Sequence, residues 1–349
     1  MAEGVRLYVG TEGGLHVFRA AGDGWQEVNQ RVTNGLFWAM SGCGQRPERV
    51  FVATSRDGLY RTDDAGAHWK RVLDRDVRSV TVDPTDDRVV YAGTEPVRLF
   101  RSEDAGDTWD ELDAIQTLPL AVRKEWWFPL SPHEGHALYI YVHPENPRII
   151  YVCLEHGGII RSRDCGETWE DVSAGIDYLD IHHIESLPGD ADRYYVSSAR
   201  GFYTSEDPAD GWVRAENGCT RDYFHDFLYL PPKTGDPAPT LLCATADKSP
   251  GSWEEPGHAE AAVFRSRDGA RSWERVGEGL PDLIEEAIWG FVKHPQDDDG
   301  AFFGLGKMYL RPGFENGPGS VMMTRDRGDS WTRLKLDLPA VRALWAAPD

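Results

Sequence analysis

Histidine, arginine and acidic side chains recur at or beside equivalent positions of a repeated strand pattern in this 349-residue chain. Several short β-branched stretches end at a proline, and residues equally far before that proline occupy equivalent positions of equivalent strands. Such polar residues are a poor filling for an inert apolar interior, because unpaired polar groups are costly to bury. Six positions before the proline, with Trp38 added from an earlier strand, stand Arg78, Leu138, His182, His225, Trp289 and Arg342.

One interpretation of these residues is a metal-dependent active site. His182 and His225 are the favoured ligands of a divalent Zn, Mn, Fe or Cu ion, because neutral imidazole combined with carboxylate suits these metals. Open coordination positions would let the metal polarise a substrate or activate water. Asp180 and Asp226 are predicted to ligate the metal or to orient the imidazole rings. Further predicted ligands are His136 and His156, and the predicted catalytic residues are Tyr223 as proton donor, Asp226 and His183.

A second interpretation needs no metal. A histidine acts as acid or base, and Arg78 and Arg342 clamp a carboxylate-bearing ligand. Structural roles compete with this: the arginines could form salt bridges with Asp180 or Glu286, and the histidines could be hydrogen-bonded between strands. The aromatic residues that would provide a stacking floor are Trp38, Trp289, Trp126 and Trp127, of which Trp126 and Trp127 could equally anchor a loop.

The elements that position these residues follow from one repeated phrase, Ser/Thr-x-Asp-x-Gly-x-x-Trp, called the box turn below. Its hydroxyl and carboxylate oxygens can accept backbone N–H groups, its glycine supplies an unusual backbone angle, and its tryptophan anchors the turn to a sheet. Seven copies predict seven repeated units that bury their apolar faces against one another. Full copies begin at residues 62, 102, 162 and 324, copies with alanine for glycine at 205 and 266, and a shortened copy spans 22–25.

The box turns resemble the Asp-box, or BNR, repeat of sialidases, xyloglucan-cleaving hydrolases, sortilin-type receptors, a photosystem assembly factor and many bacterial proteins. This resemblance covers nearly the whole chain and implies a fold rather than one activity. Sialidase activity is not expected, because the Phe/Tyr-Arg-Ile-Pro segment of those enzymes is absent and they use six blades. The xyloglucan-cleaving enzymes use two such propellers, whereas this chain supplies one.

Each repeat divides into four strands, which predicts one all-β domain over residues 1–349. The expected architecture is a single seven-bladed β-propeller of four-stranded antiparallel blades. Residues 6–30 supply only three strands and residues 340–345 an unattached one. We therefore expect the C-terminal strand to complete the N-terminal blade and to close the ring, which removes exposed sheet edges.

The strand boundaries also locate extra loops. In the third repeat the four expected strands are 77–82, 88–93, 97–102 and 108–112. Unequal spacing between box tryptophans indicates insertions, which we expect on one face around the polar strands. The insertions are residues 113–135, 246–261 and 307–319.

Composition narrows the function classes. A formal charge of −21 without basic clusters argues against a nucleic-acid partner. No apolar run is long enough to cross a bilayer, and the first ten residues show no basic-then-apolar signal segment, so no membrane partner is expected. Five cysteines without a CxxC pair indicate reduced thiols and a cytoplasmic protein.

The favoured function is a small-molecule-binding propeller that works as a metal-dependent enzyme of the hydrolase, lyase or oxidase class. Its substrate is expected to be anionic or sugar-like. Two alternatives stay open: a non-catalytic scaffold for protein interaction or assembly, and a glycoside hydrolase related to BNR-repeat enzymes. The oligomeric state is left open because a closed ring needs no partner.

Overall fold

The computed structural model describes residues 4–22, 24–31, 35–129, 131–187, 190–247, 249–250, 253, 259–307 and 317–349. The chain divides into two compact units. Unit 1 comprises Met1–Phe37 together with Ala215–Asp349, and unit 2 comprises Trp38–Arg214. We describe each unit by itself.

The chain enters unit 1 and then builds unit 2 from successive four-stranded sheets. The first strands are β1 (Val5–Thr11), β2 (Gly14–Ala21) and β3 (Gly24–Arg31). The next sheet contains β4 (Phe37–Cys43), β5 (Arg46–Thr54), β6 (Gly58–Thr62) and β7 (Lys70–Leu73). It is followed by β8 (Val77–Val82), β9 (Val90–Thr94), β10 (Leu99–Ser102) and β11 (Asp110–Glu111). Unit 2 ends with β12 (His136–Val142), β13 (Ile150–Glu155), β14 (Gly158–Ser162), β15 (Glu170–Asp171), β16 (Ile181–Leu187), β17 (Asp190–Ser198), β18 (Gly201–Ser205) and β19 (Val213–Arg214).

The chain then returns to unit 1, where two further sheets and the last strand lie. One sheet contains β20 (Tyr223–Leu230), β21 (Thr240–Ala246), β22 (Ala262–Ser266) and β23 (Glu274–Val276). The other contains β24 (Ala287–Lys293), β25 (Ala301–Gly306), β26 (Pro318–Thr324) and β27 (Thr332–Arg333), and β28 (Leu338–Pro339) pairs with β26. The last strand is β29 (Val341–Pro348).

Seven antiparallel sheets are present in the described residues, and their strands pair in chain order. Two strands depart from this order, because β28 pairs with β26 and β29 pairs with β1, from Val5 opposite Pro348 to Thr11 opposite Val341. The predicted class, an all-β protein with the seven four-stranded blades of a β-propeller, is therefore confirmed. So is the prediction that the C-terminal strand completes the N-terminal blade.

Neighbouring blades pack closely against each other within a unit. In unit 2 the strands β8 and β12 pack closely, because Gly93 leaves room for Ala137 of the neighbouring blade. A Cβ at Gly93 would stand 2.6 Å from the Ala137 Cβ, which is too close for two carbon atoms. Ser79 of β8 donates from its hydroxyl to the Ala137 carbonyl at 2.6 Å.

The box turns have the hydrogen bonds that the sequence predicts. In the copy at residue 62, the Gly66 N–H donates to the Thr62 hydroxyl at 2.9 Å and the His68 N–H donates to the Asp64 carboxylate at 2.8 Å. The Trp69 indole donates to the Gly66 carbonyl at 3.1 Å. Gly66 has a φ of 90°, a left-handed value that favours glycine. The copies at 102 and 162 repeat all of these bonds.

The two alanine-containing copies behave differently. Ala270 keeps the turn, with a φ of 64° and its N–H donating to Ser266 at 2.9 Å. The copy at residue 205 takes another course because Pro208 holds φ negative where the other copies are left-handed. Its Ser205 hydroxyl donates to the Gly211 carbonyl at 2.7 Å instead of accepting a backbone N–H of the turn.

A buried arginine before several box turns links one blade to the next, which we did not anticipate from the sequence. Arg61 donates to the carbonyl of Ala105 at 2.6 Å, in the box turn of the following blade. Arg161 reaches Asp207 at 2.8 Å, and Arg265 reaches Asp329 at 2.6 Å. In each case the arginine directly precedes the Ser or Thr of its own box, so the signal was present beside the repeat.

The first insertion contains two short helical segments, a 3₁₀ turn over Asp113–Thr117 and one helical turn over Leu120–Arg123. The predicted insertions 246–261 and 307–319 lie partly outside the described residues. The search of the described residues for a helix long and apolar enough to span a membrane found none. All five cysteines are free thiols.

The box carboxylates predict how stability depends on acid. Bonds donated by the side chain and backbone of Thr108 lower the pKa of Asp104 to about 2, below the value of about 3.9 in an unfolded chain. A depressed folded-state pKa stabilises the native state above about pH 4, and this stabilisation is lost as the pH falls toward 2. We expect Asp104→Asn to lower the melting temperature at pH 7 and to flatten its fall between about pH 4 and pH 2.

Thermal unfolding followed by circular dichroism across this pH range checks the prediction. The exposed turn residue Asp298 supplies a matched control, since Asp298→Asn removes a carboxylate outside the box turns. Equal acid sensitivity of wild type and Asp104→Asn would contradict the role of this carboxylate.

Candidate functional site

The predicted site residues lie on or beside the first strand of several blades. In unit 2, Trp38 is on β4, Arg78 on β8, His136 on β12 and His182 with His183 on β16. In unit 1, the predicted residues on β20, β24 and β29 are Tyr223, His225, Asp226, Trp289 and Arg342. The favoured metal pair, His182 and His225, is thus divided between the two units.

His136 is the centre of a polar cluster in unit 2. Its Nδ1 lies 2.8 Å from Glu155 Oε2 in an aligned hydrogen bond. Its Nε2 lies 2.8 Å from Glu95 Oε2, an ion-pair contact that is out of line for a hydrogen bond. The imidazole side chain is only 3% exposed, whereas the side chains of Glu95 and Glu155 are 9% and 18% exposed. One buried ring therefore fixes two carboxylates that remain partly open to solvent.

Arg78 supplies the positive charge of this cluster. Its guanidinium forms a close ion pair with Glu95, and its Nε lies 3.2 Å from Asp76 Oδ1. The guanidinium also lies over the Trp38 ring, 4.4 Å from the ring centroid. Arg78 therefore forms salt bridges, the structural role considered above, but its partners within the unit are Glu95 and Asp76 rather than Asp180.

Aromatic rings cover the His136 cluster. Phe128, from the first insertion, has its ring centroid 4.5 Å from that of His136 and 5.8 Å from that of His156. The Trp38 ring approaches His136 edge-on at 6.1 Å. The Trp38 indole N–H is buried and has no hydrogen-bond partner among the described residues. Flat apolar faces beside carboxylates suit a ligand that combines C–H faces with hydroxyl groups.

Asp180 is the centre of a second group in unit 2. Its carboxylate oxygens lie 3.4 Å from His182 Nε2 and 3.5 Å from His156 Nε2. His183 instead contacts Tyr139, with ring centroids 4.2 Å apart, and lies 4.0 Å from Glu185. The two neighbouring histidines of β16 thus have different environments.

In unit 1 the predicted residues form an aromatic cluster. The His225 ring lies 4.5 Å from Trp289 and 6.1 Å from Tyr223. Tyr223 also meets Trp253 edge-on, with centroids 5.4 Å apart. The His225 ring is thus stacked on Tyr223 and meets Trp289 edge-on, and Tyr223 is 5% exposed.

The remaining unit 1 residues are engaged in structural contacts. Asp226 accepts the Phe291 N–H of the neighbouring blade at 3.1 Å and the Phe227 N–H at 2.8 Å. Arg342 forms a close ion pair with Glu12 and not with Glu286 of the same unit. The Arg342 guanidinium also lies 5.6 Å from the Trp289 ring centroid.

Residues of the first insertion form a groove in unit 2 with a volume of about 210 Å³. We call it the loop groove. Its polar and aromatic walls come from Arg98, Gln116, Arg123, Trp126, His133 and Glu134. Trp126 was predicted as a stacking surface, whereas the two arginines were not anticipated.

Sequence reasoning missed Glu95, Glu155 and Phe128. Glu155 stands directly opposite His136 in the β12–β13 register. It could therefore have been predicted from the pairing of the two strands of this hairpin. Glu95 follows β9 in a turn before Pro96, and Phe128 comes from an irregular loop. No periodicity marks either of these two residues.

The predicted metal stays a prediction. Among the described residues, no group of three or more His, Cys, Asp or Glu side chains is arranged to hold a metal ion. The nearest approach to the predicted ligand set is Asp180 with His182 and His156 in unit 2.

Comparison with known proteins finds relatives among xyloglucanases. No family model matches the chain. The chain is 26% identical over 250 residues to the oligoxyloglucan-reducing end-specific xyloglucanase of Emericella nidulans. The matched region covers 66% of this chain and 29% of that enzyme. It is 24% identical over 324 residues to the xyloglucanase Xgh74A of Acetivibrio thermocellus, covering 83% of this chain and 32% of the enzyme. The chain therefore spans about a third of these relatives.

Solved structures show the same fold. The GH74 xyloglucanase of Xanthomonas campestris superimposes with a TM-score of 0.65 at 18% identity, over 94% of this chain and 52% of that one. YCF48 bound to D1 peptide superimposes with a TM-score of 0.55 at 15% identity, over 87% of this chain and 82% of that one. The chain is thus a seven-bladed β-propeller with GH74 xyloglucanases, which are glycoside hydrolases, among its homologues.

The His136 cluster predicts a large effect on stability. Replacing His136 by alanine leaves two neighbouring carboxylates without the ring that separates them, and we expect the free energy of unfolding to fall by about 3 kcal/mol. Urea unfolding followed by tryptophan fluorescence measures this change. His133→Ala, at an exposed histidine of the loop that precedes β12, is the matched control and should change stability by about 0.5 kcal/mol or less. Equal effects of the two substitutions would contradict a central role for His136.

The metal prediction is tested by elemental analysis of purified protein. The prediction requires a near-stoichiometric transition metal in the wild type and its loss from a His182→Ala/His225→Ala variant. His133→Ala controls for removal of an exposed histidine. A metal-free wild type, or a double variant that retains its metal, would show that these histidines are not ligands.

Proposed function

We propose that the protein is an Asp-box propeller that acts as a glycoside hydrolase on a β-glucan of the xyloglucan class. The observation that carries this proposal is the sequence similarity to xyloglucanases, which extends over most of the chain. The activity is proposed for this chain in its own right, although its relatives are about three times as long.

The His136 cluster supports this choice because glycoside hydrolysis uses two carboxyl groups. One donates a proton to the leaving glycosidic oxygen, and the other accepts a proton from the attacking water or acts as nucleophile. Glu95 and Glu155 are such a pair, each 2.8 Å from a nitrogen of the same imidazole. Trp38 and Phe128 add aromatic faces, against which the C–H face of a sugar ring can pack.

We assign Glu155 the role of acid and Glu95 the role of base. Glu95, which is ion-paired with Arg78, is assigned to accept a proton from water, whereas Glu155, which is paired with His136 and not with a guanidinium, is assigned to donate to the glycosidic oxygen. The water oxygen then bonds to the anomeric carbon as the glycosidic bond breaks. His136 contacts both carboxylates and can return the proton from Glu95 to Glu155, after a small rotation that aligns Nε2.

The charge of the cluster agrees with a neutral glycan. Three carboxylates, those of Asp76, Glu95 and Glu155, surround one guanidinium and one imidazole. Such a site offers acceptors for sugar hydroxyl groups and repels anions. The predicted anion clamp by Arg78 is therefore replaced in this proposal by hydroxyl recognition.

The test is release of reducing ends from xyloglucan and its oligosaccharides. We expect Glu95→Gln and Glu155→Gln each to lower kcat at least 100-fold, because acid–base catalysis typically contributes about 10² to 10⁴. Each variant should still bind the oligosaccharide within about tenfold of wild type, measured by calorimetry. Glu167→Gln, an exposed glutamate in a box turn, is the matched control and should keep full activity.

Two outcomes would redirect the proposal. Oligosaccharide binding without hydrolysis by the wild type would identify a glycan-binding module. If neither binding nor hydrolysis of any β-glucan is found, the non-catalytic scaffold is favoured instead.

A further inference from the structure

The loop groove has a composition that the proposed catalytic cluster does not explain. It is lined by the guanidinium groups of Arg98 and Arg123, whereas the chain as a whole carries a net charge of −21. The two arginines share this concave surface with one carboxylate, that of Glu134, so cationic groups outnumber anionic ones in its lining. This contrasts with the His136 cluster, where carboxylates outnumber the cationic groups.

Arg123 is the more informative of the two arginines. Its side chain is half-buried, and its Nε donates to the Leu118 carbonyl at 2.9 Å, which fixes the guanidinium plane. No carboxylate within the described part of the chain lies in ion-pair distance of it. Arg98 is held more loosely, with its NH1 3.4 Å from Glu111 Oε1. The terminal nitrogens of Arg123 therefore remain available to bind an anion in the bidentate manner typical of carboxylate.

The remaining walls suit a sugar ring. Trp126 lies against the groove, and its buried indole N–H has no hydrogen-bond partner among the described residues. Gln116 donates its amide to the Val97 carbonyl at 2.9 Å, so its side-chain oxygen can accept from a ligand hydroxyl. Glu134 and His133, both exposed, add polar groups at the rim. An aromatic face beside hydroxyl-binding groups is suited to a saccharide.

The size of the groove limits the ligand. Its volume of about 210 Å³ is below the range of about 300–1,000 Å³ that is common for drug-sized ligands. A volume of this size accommodates one ring-sized unit. The Trp126 ring packs closely against Gly157, because a Cβ at Gly157 would come within 2.9 Å of the ring.

We infer that the loop groove binds a single carboxylated sugar unit, a uronic acid, through Arg123 and Arg98 with Trp126 as its stacking face. The choice of a saccharide rests on the proposed function. The requirement for a carboxylate rests on the two arginines alone.

The experiment is titration of the full chain with sodium D-glucuronate and, in parallel, with D-glucose, followed by ligand-observed NMR. We expect glucuronate to bind at least tenfold more tightly than glucose, and to bind more weakly as the salt concentration rises. Arg123→Gln should weaken glucuronate binding at least tenfold. Arg123→Lys, which keeps the charge but loses the planar fork, should give a smaller loss. Arg88→Gln, an exposed arginine in a turn of the same unit, is the control and should bind as wild type.

Equal binding of the two sugars, no binding of glucuronate, or unchanged binding by Arg123→Gln would each overturn the inference. Because Arg123 also holds the Leu118 carbonyl, Arg98→Gln gives a second test that leaves this bond intact. The hydrolysis test uses Glu95 and Glu155 and a different ligand. A protein that binds glucuronate but does not cleave xyloglucan would refute the proposed function and leave this inference standing.

Discussion

A buried hydroxyl that accepts a backbone N–H four residues later is the interaction on which the rest of the fold depends. This bond reverses the chain in the box turn at 62 and in its equivalents. The indole of the following tryptophan then donates to a carbonyl of the same turn. Where Arg61 and its equivalents precede the hydroxyl, the same turn is bonded to the next blade. Local reversal and blade-to-blade contact are thus encoded within nine residues, and repeating them sets the spacing of the strands that carry the polar clusters.

Most of the fold could be predicted because its signals are local. The predicted strand 77–82 agrees with β8, whereas the predicted strand 108–112 is reduced to Asp110–Glu111 in the structure. That outer strand carries two exposed acidic residues and has a neighbour on one side only, so little holds its ends in the sheet. The copy at 205 looked like its relatives by composition, yet one proline changed its turn, because backbone angles depend on single residues.

The candidate site was predicted less completely, because alignment on the strands finds positions and not partners. It placed Arg78 and His136 on first strands, but their partners are Glu95, from a turn, and Glu155, from a neighbouring strand. The strand register and the path of the loops decide which carboxylate lies beside which basic side chain. Neither can be deduced from the spacing of residues along the chain. Phe128 shows the limit most clearly, since an insertion without regular structure supplies a ring that packs on His136.

The pairing of β1 with β29 has a consequence for how the protein is made. The ion pair between Arg6 and Asp349 joins residues 343 positions apart, so β1 emerges from the ribosome long before its partner strand. Until then β1 is an unpaired sheet edge, open to strands of other molecules. Closing so long a loop is slow, and the sheet formed by β1, β2 and β3 must wait for it. The N-terminal blade is therefore the segment for which protection during translation, by a chaperone or by rapid synthesis, matters most.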